Sequence, residues 1–144
     1  MKKYIQNHIN ESIKTKEEIF ASEEILNKIQ PNHPVAIRVN RDFQISLHPK
    51  NSLQPYDIGY FSYGAQDQAY FALRMAISDI LAADFEGFPL LFDDPFTQYD
   101  EVRMHFALEF LSEVAKERQV FIFTCHKNVT AFAESLGGTI FRLQ

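Results

Sequence analysis

The sequence predicts an α/β fold, a parallel sheet flanked by helices and preceded by an N-terminal helix and a β-hairpin. Three observations carry this. Strand-like and helix-like stretches alternate from residue 89 to the C-terminus; the strand-like stretches are apolar without alternation, as in a sheet covered on both faces; and residues 35–47 instead alternate with period two. With 144 residues the chain is long enough to bury roughly 70% of its unfolded surface.

The elements follow in order. Residues 3–30 are charged and helix-prone, with Ile5, Ile9 and Ile13 and then Ile19, Phe20, Ile25, Leu26 and Ile29 on apolar positions. Two readings of this segment 1–30 stand side by side, a helix packing on its own domain and the stub of a coiled coil. Pro31 to Pro34 ends it. Val35–Val39 and Phe43–Leu47 form a hairpin around Asn40-Arg41-Asp42, and a polar loop runs from His48 to Gly59. Ala65 to Ala83 is apolar nearly all round and predicts a helix buried on several sides. Pro89–Phe92 reads as a strand, and Gln98–Glu117 as a helix with Val102, Phe106, Phe110 and Val114 stacked at four-residue spacing. Gln119–Phe123 reads as a second strand, 128–136 as a short helix ended by Gly137-Gly138, and Thr139–Leu143 as a last strand.

Composition narrows the function classes. Hydrophobic content of 46% with 14 Phe and 23% charged residues is ordinary for a folded domain. The net charge is −5, and it is uneven: residues 1–64 carry 8 Lys/Arg against 7 Asp/Glu, residues 65–144 carry 6 against 12. No basic cluster suits a nucleic-acid surface, so any role with DNA must come through an assembly. A single cysteine excludes an internal disulfide and leaves no zinc cluster built from cysteines. The polar start from Lys2 to Asn10 is no signal peptide, and no apolar run is long enough to span a bilayer. The expectation is a soluble, cytoplasmic protein without membrane contact.

The candidate site residues sit where the strands end, which is where ligands bind in parallel sheets. Asp93 and Asp94 close the first parallel strand. Neighbours in an extended chain point to opposite sides, so one carboxylate is placed to hold a hydrated Mg²⁺ and the other to orient water. The alternative is a pair of solvated loop acids before an Asp-Pro turn. His126, beyond the second strand, either meets a ligand or is structural. Cys125 and His126 are not read as nucleophile and base, because adjacent residues of an extended chain diverge. Thr97-Gln98-Tyr99-Asp100 fits a capping box at a helix start. Ser62 and Gly64 precede the apolar helix, where Ser62 caps it and free N–H groups offer an anion site; a plain capped helix is the simpler account. Gly59 and Gly64 have Walker A spacing, but Ala65-Gln66 replaces its Lys and Ser/Thr, so no phosphate loop of that kind is encoded.

Taken together, FSYGAQDQAYFALRMA, PLLFDDPFTQYD and VFIFTCHKN resemble the C-terminal lobe of ABC-type ATPase heads of the SMC, SbcC and YhaN-like families, across about residues 35–144 of a lobe bounded at 31–144. FSYGAQDQ stands in place of the signature loop, LLFDD looks like Walker B, PFTQYD like the D-loop and FTCH like the switch-histidine segment. The closest likeness is to the YhaN-like branch. This implies the C-terminal half of a P-loop NTPase fold. It also implies that Asp93 helps hold Mg²⁺, that Asp94 positions the attacking water and that His126 contacts the γ-phosphate. Asp100 would communicate across a dimer interface, and Ser62, Gly64 and Gln68 would meet ATP bound to a second head. Asp94 stands where many of these ATPases have Glu, and Phe61 and Tyr63 depart from the usual signature residues.

The Walker A lobe, the Q-loop and nearly all of any coiled coil are missing from the sequence. The implied protein is half a head, inactive alone, needing a Walker A-containing lobe and a second head to act on ATP and Mg²⁺. DNA repair or chromosome maintenance follows by analogy only. Two rival readings are a non-catalytic module docking on a partner lobe and a self-sufficient Mg²⁺ phosphohydrolase built on Asp93, Asp94, Asp100 and His126.

Overall fold

The computed structural model describes residues 16–30, 35–40, 44–50, 52–82 and 88–142. Residues 3–15 with Ile5, Ile9 and Ile13, the Pro31–Pro34 break, the hairpin turn 41–43, Ala83 and Leu143 lie outside them. The chain forms two compact units, Met1–Phe85 and Glu86–Gln144.

In the first unit, helix α1 (Lys16–Ile29) and strands β1 (Val35–Val39), β2 (Ile45–Pro49) and β3 (Tyr56–Asp57) precede a 3₁₀ turn at Ile58–Tyr60 and helix α2 (Tyr63–Ala82). The strands form an antiparallel sheet in sequence order, with Val35 opposite Pro49 and Val39 opposite Ile45. The hairpin is therefore where the alternation puts it; its second strand is Ile45–Pro49, and the expected start at Phe43 lies outside the described residues. Asn40 and Gln44 fasten the two sides of the hairpin together: the Asn40 N–H donates to the Gln44 carbonyl at 3.0 Å and its Oδ1 accepts from the Gln44 N–H at 2.8 Å. Strand β3 falls inside the expected polar loop. It is only two residues long and pairs Tyr56 with Leu47, a partner far in sequence that local pattern does not encode.

The alternation places Val35, Ile37, Ile45 and Leu47 inside. Helix α1 packs on both β1 and α2, burying Ile25, Leu26 and Ile29. Helix α2 buries Ala65, Ala69, Phe71, Ala72, Met75 and Ala76 while Tyr70 is 39% exposed, so it presents one broad inner face rather than being covered all round. Its small residues let α1 approach closely.

The second unit contains β4 (Leu90–Asp93), α3 (Glu101–Val114), β5 (Val120–Phe123) and α4 (Lys127–Ser135). β4 and β5 pair in parallel, Leu90 opposite Val120 through Asp93 opposite Phe123. The right order of strand, helix and strand is thus present as a parallel pair. α3 packs on α4, where the His105 and Phe132 rings stack with centroids 3.8 Å apart and Asn128 donates to the Met104 sulfur at 3.5 Å. α4 ends in a Schellman motif: Gly138 N–H reaches the Ala133 carbonyl at 2.9 Å, Gly137 N–H reaches Glu134 at 3.0 Å, and Gly137 takes φ +91°.

Three expectations change here. α3 begins at Glu101, and its N-cap is Asp100, whose Oδ1 accepts from the Arg103 N–H at 2.8 Å. Thr97 lies in the preceding turn, so it is not the cap, because Pro95 has already bent the chain and the extended backbone a cap needs occurs at Asp100. The buried face of α3 is Met104, Ala107, Leu108 and Leu111, whereas Val102 of the expected stripe is 58% exposed. The helix is apolar on two faces, and packing on α4 selects one. Finally, residues 139–142 form no strand. A strand exists only where its N–H and C=O groups find a ladder, and none runs beside this segment among the described residues. No helix among the described residues is long and apolar enough to cross a membrane.

Candidate functional site

The Glu86–Gln144 unit brings the carboxyl ends of its two strands together. β4 delivers Asp93 on the exposed side of the sheet, alongside Leu91. The ladder then runs one step further, the Asp94 N–H donating to the Phe123 carbonyl at 2.8 Å. At that point the chain leaves the strand, because Asp94 adopts φ +42°, a left-handed conformation that Asp tolerates better than most side chains. Pro95 with its fixed φ continues the turn. The two aspartates are therefore separated: Asp93 ends the strand, and Asp94 turns towards residues 124–126.

Across from it, Thr124, Cys125 and His126 follow β5 as irregular backbone, with His126 at the N-cap position of α4. The His126 N–H donates to the Thr124 hydroxyl at 3.1 Å, which folds the segment tightly. Cys125 Sγ lies 3.8 Å from Asp94 Oδ2, and one donor atom each from Asp94, Cys125 and His126 lie within 4.8 Å of one another. The expected divergence of Cys125 and His126 is thus corrected. Strict alternation belongs to the strand, and β5 has ended at Phe123. Thr124 and Cys125 are the site residues the sequence reading passed over. The signal was present in their position, just past the end of an apolar strand.

The Asp94 carboxyl group is held below its ordinary value of 3.8, chiefly by the Thr124 hydroxyl, then by the Cys125 N–H, the His126 charge and the Cys125 thiol, against an opposing desolvation. Oδ1 is shielded from solvent and has no partner at full hydrogen-bonding distance. The anion is therefore stabilised by several weak contacts at its edge rather than by one strong bond. Asp94 is a carboxylate at neutral pH, able to accept a proton-bearing ligand but not to donate a proton.

Asp100, the residue immediately before α3, spends its carboxylate on the helix cap and on Arg103, whose Nη1 lies 3.3 Å from Oδ2. It does not join the Asp94 cluster among the donors grouped there.

The Met1–Phe85 unit carries the other candidates. Ser62 is exposed and accepts from the Ala65 N–H at 3.3 Å, so it caps α2 as expected. Gln66 Nε2 donates to the Phe61 carbonyl at 2.7 Å, holding the loop against the helix start. Gly64 is buried, and the exposed Tyr63 (76%) stands between it and Ser62. Gln68 is fully buried, its Nε2 donating to the Ile29 carbonyl at 2.9 Å. It ties α2 to the end of α1, and it does not lie at the surface with Ser62.

Mg²⁺ is a hard cation that keeps several waters and takes one or two carboxylates with substrate phosphates. Exposed Asp93 fits that donor chemistry. The sulfur and imidazole donors beside Asp94 do not.

No protein-family model matches the chain, and no curated protein does. Solved structures do. A structure from work on ATP-driven dimerization and DNA-stimulated activation of SMC ATPases superposes with TM-score 0.67 at 21% identity, covering 88% of this chain and 74% of that one. The Smc head domain of Pyrococcus furiosus with an extended coiled coil, bound to the C-terminal domain of ScpA, gives 0.62 at 20% identity over 85% of this chain and 30% of that one. The SMC head domain of Thermotoga maritima gives 0.61 at 15% identity over 90% and 45%. The chain has the fold of SMC-type ATPase heads, which are P-loop NTPase-like, and spans less than half the length of the latter two.

Proposed function

We propose that the chain is the C-terminal lobe of an SMC-type ATPase head, acting on ATP only when a Walker A-containing lobe and a second head complete the site. The observation that carries this is the meeting of Asp94 and His126 at the carboxyl ends of two parallel strands, on a fold shared with SMC heads.

Asp93 would take one position on a nucleotide-bound Mg²⁺, and its exposed carboxylate suits that use. The ion would supply charge neutralisation of the phosphates. Asp94, ionised and turned away from Asp93, would accept a hydrogen bond from the attacking water and orient it. His126 would meet the terminal phosphate. In the other unit, exposed Ser62 and the first N–H groups of α2 would face the nucleotide of a second head, where a helix N-terminus favours phosphate. Gln68 would support that loop from inside, through Ile29. Asp100 would face the head–head interface. A role in DNA repair or chromosome maintenance rests on the relatives' analogy, and the YhaN-like branch on the wording of the motifs.

A trans-complementation assay tests the reading. The chain alone hydrolyses no ATP; with a matching Walker A lobe, turnover appears, and Asp94→Asn lowers it by roughly 10²–10⁴-fold, the usual range for a positioned acid–base group. Turnover indifferent to Asp94→Asn would sink the mechanism.

A second reading, a non-catalytic docking module, is favoured by the outer side of the parallel pair, where Leu91, Phe121 and Phe123 are 64%, 45% and 52% exposed. Parallel sheets are covered on both faces, so this side suits a partner. A tight complex with the Walker A lobe that never turns over ATP would select this reading instead.

A further inference from the structure

We infer that Asp94, Cys125 and His126 form a binding site for a thiophilic divalent cation of the Zn²⁺ class, independent of nucleotide. Oxygen, sulfur and nitrogen donors come from two strand ends 31 residues apart and lie within 4.8 Å of one another. In a tetrahedral site with ordinary Zn–S and Zn–O bonds, adjacent sulfur and oxygen donors are about 3.6 Å apart. The 3.8 Å separation of Cys125 Sγ and Asp94 Oδ2 is close to that edge. Cys125 and His126 are exposed, so their side chains have room to close the remaining distance.

A separate observation points to an incompletely satisfied group. Asp94 Oδ1 is shielded from water and no donor reaches it at full hydrogen-bonding distance, so the Thr124 and Cys125 groups that favour the anion leave room for a cation to relieve it. Donor chemistry then selects the ion. Thiolate and imidazole suit Zn²⁺ or Co²⁺, whereas Mg²⁺ and Ca²⁺ want oxygen alone. Three protein ligands leave the fourth position to water, the open arrangement. Cys125 would bind as thiolate, its proton passing to solvent, so affinity rises with pH. A metal held here would occupy both groups assigned to ATP chemistry. That consequence depends on the proposed function, while the binding itself does not.

Co²⁺ titration of the full chain under a non-chelating phosphine reductant tests this without ATP. One equivalent should produce a near-ultraviolet thiolate-to-cobalt charge-transfer band with tetrahedral d–d absorption, displaced by Zn²⁺ but not by excess Mg²⁺. Cys125→Ser should abolish the band. Asp94→Asn and His126→Gln should each weaken binding by at least about tenfold, the cost of disturbing even an outer ligand partner. Unchanged far-ultraviolet circular dichroism of these variants ties the loss to the ligands. Absence of the band, displacement by Mg²⁺, or affinity unchanged in both Asp94→Asn and His126→Gln would overturn the proposal, whatever the ATPase assay gives.

Discussion

The two units of the chain treat their sheets differently. In Met1–Phe85 the antiparallel sheet turns Val35, Ile37, Ile45 and Leu47 inward, with Ile37 fully buried and Leu47 2% exposed. In Glu86–Gln144 none of the eight residues of the parallel pair is buried, and three of the four outward positions, Leu91, Phe121 and Phe123, are apolar, the fourth being Asp93. A cavity of about 410 Å³ lies among Leu108, Leu111, Val120, Ile122, Val129 and Ile140. The first unit closes a core with its own elements. Among the described residues, the second leaves one side of its parallel pair apolar and exposed.

The sharpest way to break this contrast is by paired substitutions. Ile37→Ala should destabilise the first unit by about 2–5 kcal/mol, since a buried side chain is lost and a cavity left. Leu91→Ser should change the stability of the isolated chain by only about 0.5 kcal/mol, as at other exposed positions. Urea unfolding of both variants checks the pair. The same Leu91→Ser variant should lose its complex with a Walker A lobe, readable by light scattering.

Asp100→Ala comes next. It removes the α3 cap and the Arg103 contact, at about 1 kcal/mol in urea unfolding. A much larger loss would mean that the second unit depends on that cap to hold its open sheet together.

Acid titration gives a smaller effect with opposite signs in the two units. Glu23 is raised above 4.5, first by burial, against the Ile37 backbone bond and the Arg38 charge. A raised carboxyl favours the folded state while protonated, so its contribution is present below 4.5 and lost as pH rises through the folded value. Asp94 is depressed, so its contribution is present above 3.8 and lost as pH falls through the folded value. Glu23→Gln should therefore stabilise at neutral pH and not below 4.5. Asp94→Asn, which tolerates the same positive φ, should destabilise at neutral pH and converge with the parent at the acid end. Chemical unfolding across pH reads both.

The smallest expected effect is the Glu24–Lys28 pair on the exposed face of α1, 2.9 Å apart. Lys28→Ala should cost about 0.3–0.5 kcal/mol, and less in high salt.

The amino-acid order alone determined the elements that depend on near neighbours. The period-two run gave β1 and β2, unalternating apolar runs gave β4 and β5, and Gly137-Gly138 ended α4, because side-chain periodicity and local backbone preference need no distant partner. It also placed Asp93, Asp94 and His126 at strand ends, since those ends follow directly from the strands. Tertiary structure decided the rest. β3 needed Leu47 as its partner, and residues 139–142 have no ladder to join among the described residues, since strand formation is pairing across sequence distance. Packing on α4 chose between two apolar faces of α3, which periodicity alone cannot rank. Gln68, polar and helical, became a buried tie only because the Ile29 carbonyl lies opposite it. Cys125 and His126 meet Asp94 because β5 ends at Phe123 and the His126 N–H folds back onto the Thr124 hydroxyl, so the strict alternation of a strand no longer applies.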